Sequence, residues 1–556
     1  MVLALFVPYP KEFAEEYKRK GYWAGLTLGE ALDEVAAVFP NKEALVAADR
    51  RLNYTQLKDE TDRLAVGFLD SGLKPRDRVI VQLPNIVEFV CCYYALLKIG
   101  VIPVMCLPQH RFSEISYIAA QCEARGYIIP DVYRRFDYLK FAEEIKEATP
   151  ALKNVYVAGE NCPAGFINLQ ELMQAETDPE RISTLLKENR PAPMEAAVFL
   201  LSGGTTGLPK VIPRTHNDYL YTMKATALQS GLSKYSNYLA IAPLAHNMTL
   251  SCPGIGGTFI NGGKVILSQS VAVKDMCAII EKEKVTIVGL VPALIISLLN
   301  YEKKEESDLS SLVSIISGGS KLNPEVAKRV KPELGCNLIQ QFGMAEGVLM
   351  QTDDLSDEER VIFETIGRPV SPADEIRIVD GNGLDVPPGE VGEMICRGAY
   401  TIRGYYKAPE HNRTAITAEG FFRSGDLMRL DVESGCYIVE GRIKDMINRG
   451  GENISAEELD NLILSHPKVD NAAVVAMPDP LLGEKCCAYI TLKEKQSLTL
   501  EELNSFLLSK QIAKFKLPER LEIVAELPLT NVGKVSKREL KLDIEAKIKQ
   551  ENAAKE

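Results

Sequence analysis

Strand-length apolar runs alternate with helix-length ones along this chain, and that alternation constrains its fold more than any other feature. Residues 77–83 (DRVIVQL) read as a strand and 87–99 as a helix; 126–130 and 154–158 are short β-branched runs with a helical stretch, 134–148, between them. The rhythm returns later, with strands at 238–243, 264–267 and 286–290 and a helix at 273–284. Strands alternating with helices predict parallel sheets with crossover helices, here in two successive halves. Beyond Gly367 the pieces shorten. The runs 375–379, 392–397 and 404–406 are separated by Gly, Pro and Asp, which predicts a β-rich region. A boundary falls within 441–446, and a separate unit follows: helix 456–465, strands 470–477 and 488–492, helix 500–508. The expectation is an α/β protein with a large N-terminal domain of two α/β sheet subdomains plus a β-rich subdomain, and a small α+β C-terminal domain. With 556 residues the chain exceeds what one hydrophobic core supports, in agreement with that division.

Several smaller expectations go with this reading. Residues 28–38 are helical, and Trp23, the only tryptophan, anchors the N-terminal arm against a core. Thr55 caps a helix running to about residue 73; residues 176–193 form a polar connector; the Lys/Glu/Ala tail after 543 frays. The apolar region 89–108, interrupted by Lys98, Gly100 and Pro103, reads as a buried helix leading into a strand rather than a membrane span. Twelve cysteines without a C-x-x-C spacing read as reduced thiols, and the N-terminus carries no cleavable signal pattern, so a cytoplasmic location is expected. A net charge of −12 argues against a broad nucleic-acid footprint. Lys537 and Lys541, in the late basic cluster, read as solvated surface lysines.

One loop carries chemistry on its own residues. LSGGTTGLPK, 201–210, follows the strand-like run 196–200 and precedes a second apolar run from Val211. Gly203, Gly204 and Gly207 let backbone N–H groups approach an anion, Ser202, Thr205 and Thr206 add hydroxyls, and Lys210 adds a positive charge, so the loop reads as a phosphate cradle. It is not a Walker A loop, because Val211 stands where that motif places its Mg²⁺-binding hydroxyl. A metal ligand must then come from elsewhere in the chain.

Together with FGMAEG (342–347), SGDL (424–427), GRIKDMINRGGENIS (441–455) and PLTNVGKVSKREL (528–540), this loop resembles the motif set of the adenylate-forming superfamily across nearly the whole chain. KGYWAGLTLGE (20–30) and PLAHN (243–247) resemble the stand-alone aryl-acid adenylating enzymes of siderophore assembly, which activate 2,3-dihydroxybenzoate or salicylate. The resemblance implies ATP and Mg²⁺ as requirements. It also implies two half-reactions: aryl-AMP formation with release of pyrophosphate, then transfer to a phosphopantetheine thiol of an aryl carrier protein acting in trans. A CoA ligase using free CoA is the alternative within that chemistry, and a non-catalytic nucleotide-binding protein is the alternative outside it. Adenylation and transfer in trans need only a monomer.

Carried over residue by residue, the resemblance makes Glu346 the metal ligand and Asp426 the acceptor for the ribose hydroxyls, with Arg442 contacting ribose or phosphate. Gly318, Gly319 and the turn Gln341, Phe342 and Gly343 would flank the adenine. Lys534 would bridge carboxylate and α-phosphate, and His246 and Lys210 join it as catalytic residues. Lys444 occupies the hinge between an N-terminal domain at 1–441 and a mobile domain at 447–556, and Gly450 and Gly451 line the thiol tunnel. Asn247 would meet the ortho hydroxyl of the acid, with Met248, Cys252, Met344 and Val348 completing its pocket. The subgroup tends to have Ser at the position of Cys252 in dihydroxybenzoate enzymes and Cys in salicylate enzymes. A thiol fills space and donates weakly, so salicylate is favoured. Met248 departs from the pattern, standing where an aromatic is usual.

Overall fold

The helix Val87–Lys98 shows how sequence becomes core. Eleven of its twelve residues are buried, Glu88 being the exception, so it lies inside the molecule. Its buried lysine, Lys98, is offset by two carboxylates: Nζ lies 2.5 Å from Asp33 Oδ1 and also bonds Asp62. The computed structural model describes residues 3–48, 50–202, 209–353, 357–450, 452–510, 512–530 and 534–553. Among these, no helix is long and apolar enough to cross a membrane, and all twelve cysteines are free thiols.

Both expected α/β sheets are present. The first has seven strands in the order Val211–Thr215, Ala196–Leu201, Ile102–Met105, Arg78–Val81, Gly126–Pro130, Asn154–Ala158, Ile167–Asn168, parallel except for the outer strand Val211–Thr215. The second has nine, and its parallel centre runs Asn337–Met344, Ser314–Ser317, Ile287–Leu290, Asn237–Ala240, Lys264–Leu267 and Glu43–Ala47. Its edges are antiparallel, with Arg50–Asn53 on one side and Gly347–Gln351 followed by Arg368–Pro369 on the other. The strand Glu43–Ala47 was not foreseen. Its Ala-Leu-Val centre is too short to reveal that the start of the chain crosses to the second sheet.

A four-stranded antiparallel sheet, Glu375–Val379, Gly392–Arg397, Phe422–Asp431 and Cys436–Arg442, is the β-rich region. The C-terminal domain has its own sheet, in which Val469–Asp479, Gly483–Leu492, Met446–Arg449 and Glu452–Ser455 pair antiparallel and Arg520–Ile523 adds a parallel strand. Trp23 is anchored as expected: its indole N–H donates to Ala399 O at 2.8 Å, and its ring packs edge-on against Tyr9 and Tyr17.

Five local expectations are corrected. The helix Tyr54–Asp70 is capped by Asn53, not Thr55, through a reciprocal pair of hydrogen bonds with Gln56. A small hairpin, Val132–Tyr133 with Phe136–Asp137, delays the next helix to Tyr138–Ala148, because Asp137 supplies its cap. The connector contains a helix, Pro179–Glu188, started by Asp178 and proline at its first position; with no fully buried residue it left little periodicity to read. Residues 404–406 form no strand, since Tyr405 is held by Asn412 through N–H to Oδ1 (2.8 Å) and Nδ2 to O (2.9 Å). The tail is helical as far as Ala553. Lys537–Ala553 is one helix whose Leu540 and Ile544 are buried against Val475, Cys487 and Tyr489, while Arg520 pairs with Glu551 and Lys547 with Glu522.

Candidate functional site

The phosphate-type loop is closed at its base by its own ends. Ser202 N–H donates to Lys210 O at 3.0 Å, and Lys210 N–H donates back to Ser202 Oγ at 3.0 Å, extending the pairing of the strands on either side. Gly203, Gly204, Thr205 and Thr206 lie outside the described residues. Lys210 Nζ sits 5.2 Å from the centre of the Tyr405 ring, and the Tyr405 hydroxyl donates to Glu346 Oε1 at 2.8 Å. Glu346 occupies the two-residue link between Asn337–Met344 and Gly347–Gln351, so a tight hairpin presents it. Lys210 and Glu346, far apart in sequence, are thus joined by one tyrosine that sequence reasoning missed.

Across the cleft, register places Asp426 opposite Arg442 on adjacent antiparallel strands. Arg442 Nε donates to Asp426 Oδ1 at 2.7 Å, whereas Oδ2 is buried and has no hydrogen-bond partner among the described residues. Burial pushes the Asp426 carboxyl up, against the opposing pull of Arg442, Lys534 and Lys444. Ser424 Oγ receives the Asp426 N–H at 3.0 Å and fixes the turn that begins at Gly425 (φ 70°). A buried acceptor with a free oxygen fits a ligand hydroxyl, as a nucleotide ribose would supply.

Lys534 comes from the other domain, yet reaches this cleft. A β-carbon at Gly319 would lie 3.3 Å from Lys534 Cε and 4.0 Å from its Nζ, so the glycine leaves the lysine its path. Gly319 also has φ 91°, a conformation that side chains disfavour. Burial lowers the Lys534 pKa to about 8, with the nearby charge of Arg442 adding to it. His246 is half-buried, and its pKa is lowered to about 4, by desolvation first and then by Lys534, so it is neutral at pH 7. Its Nδ1 accepts from Met248 N–H at 3.4 Å, leaving the ring proton on Nε2.

The expected adenine-flanking turn is instead a continuous strand. Gln341, Phe342 and Gly343 belong to Asn337–Met344, with an irregularity only at Gly343 and Met344, because pairing with Gly347–Gln351 extends the ladder past the point where its apolar run ends. Gln341 is buried and donates through Nε2 to Gln351 Oε1 at 3.2 Å.

A small polar cluster follows His246 in the chain. The short helix Asn247–Ser251 places Asn247 so that Oδ1 accepts from Tyr219 Oη and Ser251 Oγ, both at 2.9 Å, while Nδ2 donates to Cys252 Sγ at 3.3 Å. Cys252 is buried, its thiol pushed up to about 11, and packs with Leu349 and Tyr400. Met248 fills the space left by two glycines: a β-carbon at Gly318 would lie 2.8 Å from its Sδ, and one at Gly289 would lie 2.8 Å from its Cε. Met344 packs partly buried on the main core, and Val348 has no exposed surface and belongs to that core. Tyr219, Ser251 and Gly289 gave no signal in sequence, since each lies within an ordinary helix or strand.

The domain junction passes through a short 3-10 turn, Ile443–Asp445, containing Lys444, between Cys436–Arg442 and Met446–Arg449. Lys541 Nζ donates to Lys444 O at 3.4 Å, and Lys537 Nζ binds Asp460 Oδ2 at 2.6 Å. Lys537 is therefore not the merely solvated residue expected, because the unforeseen C-terminal helix carries it against Asp460, whereas the Lys541 contact is on the exposed surface. Ser455 Oγ donates to Glu440 O at 2.6 Å across the junction. Gly450 (φ 61°) turns a hairpin and donates to Leu482 O at 2.8 Å within its own domain; Gly451 lies outside the described residues.

Among the described residues no three His, Cys, Asp or Glu side chains converge to hold a metal. Glu346 is a single carboxylate near Lys210. That fits Mg²⁺, which is held by one or two carboxylates plus substrate phosphates and water, better than a metal needing an all-protein cage.

Comparison with known proteins gives consistent results. The family model for the AMP-binding enzyme matches residues 32–406, and that for the AMP-binding enzyme C-terminal domain matches 458–534. The chain is 44% identical over 543 residues to the 2,3-dihydroxybenzoate-AMP ligase of Bacillus subtilis, covering 98% of each protein. It is also 44% identical to a Streptomyces salicylyl-CoA synthase / salicylate adenylyltransferase, covering 96% of this chain and 97% of the other. The apo structure of Mycobacterium smegmatis MbtA superposes with a TM-score of 0.74 at 38% identity, covering 97% of this chain and 99% of that one.

Proposed function

The chain belongs to the AMP-binding enzyme family and is an enzyme of the ligase class, and on that premise we propose that it activates a 2-hydroxyaryl carboxylic acid with ATP, with salicylate favoured over 2,3-dihydroxybenzoate. A carboxylate oxygen of the acid attacks the α-phosphorus, the bond to the bridging oxygen breaks, and pyrophosphate leaves with that electron pair. The product is aryl-AMP. No proton need be removed from the nucleophile, so the site's task is to hold two anions in line and offset their charge.

The observation that carries this reading is the meeting of Lys534, from the small domain, with Gly319, His246 and Asp426 of the large one. In this arrangement Lys534 bridges the carboxylate and the α-phosphate. Asp426 Oδ2 takes the ribose hydroxyls while Arg442 holds Oδ1. Ser202, Gly203, Gly204, Thr205, Thr206 and Lys210 cradle the phosphates, and Glu346 would hold Mg²⁺, which would offset phosphate charge. Neutral His246, close enough to feel the charge of Lys534, adds no competing charge beside the acid. Asn247 reads the ortho hydroxyl, and Cys252 fills the wall where a second phenol would otherwise need a partner.

The second half-reaction transfers the aryl group to a phosphopantetheine thiol of an aryl carrier protein in trans, as in siderophore assembly. The thiolate attacks the acyl carbon and AMP leaves. Lys444 is the proposed hinge for the domain rotation between steps, after which Gly450 and Gly451 line the thiol path. A second reading, release of aryl-CoA from free CoA, is favoured by the Streptomyces relative, whose name includes a salicylyl-CoA synthase. Pyrophosphate exchange into ATP with salicylate, 2,3-dihydroxybenzoate and benzoate tests the first step. Exchange greatest with salicylate supports the proposal, a preference for 2,3-dihydroxybenzoate reverses the substrate order, and no exchange with any acid removes the ligase reading. Thiolation assayed with a phosphopantetheinylated carrier against free CoA separates the two acceptors.

A further inference from the structure

Tyr405 touches both charged groups of the phosphate region and is itself held on every side. It is 4% exposed, and its backbone is fixed by the two hydrogen bonds with Asn412 at the helix Pro409–Ala415. Its ring lies 5.0 Å from that of His411 and 6.2 Å from that of Phe422, centre to centre. From this frame the hydroxyl donates to Glu346 Oε1 at 2.8 Å, and the ring presents itself to Lys210 Nζ at 5.2 Å. The same segment fixes the Glu346 main chain, since Ile402 N–H donates to Glu346 O at 2.8 Å.

We propose that Tyr405 is a positioning residue for nucleotide and metal binding: its hydroxyl orients the Glu346 carboxylate, and its ring seats Lys210 at the end of the phosphate loop. A glutamate side chain on a hairpin has several rotamers. A donor bonded to one oxygen removes most of them and leaves the carboxylate presented in a single orientation. A lysine Nζ over an aromatic face is likewise restrained by the ring quadrupole. Because one rigid residue does both, the loop end and the acidic hairpin keep a fixed spacing although Lys210 leads into the strand Val211–Thr215 of one sheet and Glu346 sits in a hairpin of the other. This inference rests on the proposed role of Glu346 as metal ligand.

The test measures binding of α,β-methylene-ATP to the whole enzyme by calorimetry across a Mg²⁺ series, without turnover. Tyr405→Phe keeps the ring and removes the hydroxyl. It is expected to raise the Mg²⁺ concentration needed for half-maximal tightening roughly tenfold, the size of one lost hydrogen bond to a charged group. Its metal-free affinity should match wild type, which also reports an intact fold. Glu346→Gln should give a similar or larger rise, and the double variant Tyr405→Phe/Glu346→Gln no more than Glu346→Gln alone. Tyr405→Leu should in addition weaken metal-free binding about threefold, through the unseated Lys210. An unchanged Mg²⁺ response in Tyr405→Phe, or additive losses in the double variant, overturns the hydroxyl's role, and wild-type metal-free affinity in Tyr405→Leu overturns the ring's. A wild-type enzyme whose analogue affinity ignores Mg²⁺ overturns the metal role of Glu346 itself, a failure visible without any variant.

Discussion

Arg442 places its Nε 2.7 Å from Oδ1 of Asp426, and the other carboxylate oxygen stays buried without a hydrogen-bond partner among the described residues. An unsatisfied buried acceptor costs about 1–3 kcal/mol, so the folded protein keeps it against its own stability, and a bound hydroxyl pair would relieve the cost. Asp426→Asn is therefore expected to weaken ATP binding roughly 10- to 100-fold, the range for hydrogen bonds to a charged acceptor. Binding of the aryl acid alone should not change. Calorimetric titration of each ligand checks the difference.

Lys534 must carry its proton to bridge two anions, and in the free enzyme its pKa is lowered to about 8. The charged form prevails below that value and is lost above it, so kcat/KM for adenylation should fall as pH rises through about 8. That ratio reports the free enzyme. In Lys534→Arg the guanidinium stays charged, and whatever activity remains should lose this alkaline limb. A pH profile of pyrophosphate exchange for both proteins is the measurement.

Cys252 is buried with its Sγ 3.3 Å from Asn247 Nδ2, and in the proposed function it lines the acid's wall. Cys252→Ser exchanges a weak donor for a hydroxyl able to pair a second phenol. The ratio of kcat/KM for 2,3-dihydroxybenzoate over salicylate should rise about tenfold, the scale of one neutral hydrogen bond. Exchange assays on the two acids read the ratio directly.

Much of this architecture was legible from residues 77–99, 126–130 and 154–158, where apolar periodicity and strand length agree with burial on both faces of a parallel sheet. The motifs likewise singled out Asp426, Arg442, His246 and Lys534, whose charges lie close enough to act on one another. What escaped was set by partners far along the chain. Ile544 lies among Lys541, Asp543, Glu545 and Lys547, and its packing on the sheet beneath could not be read from so charged a stretch. The Tyr405–Glu346 bond joins residues 59 apart, and nothing local marks either as the other's partner. The glycines at 289 and 318 look like strand interior and turn until Met248 is seen filling the space beside them.

The central claim is that adenylation uses a lysine lent by the small domain, and the two half-reactions measured on Lys534→Ala test it most directly. The account predicts that salicylate-dependent pyrophosphate exchange falls by about 100-fold or more, the scale of a lost preorganised charge at the reacting phosphate. Thiolation from preformed salicyl-AMP should stay near the wild-type rate. Equal loss in both half-reactions, or exchange that survives the truncation, would contradict it.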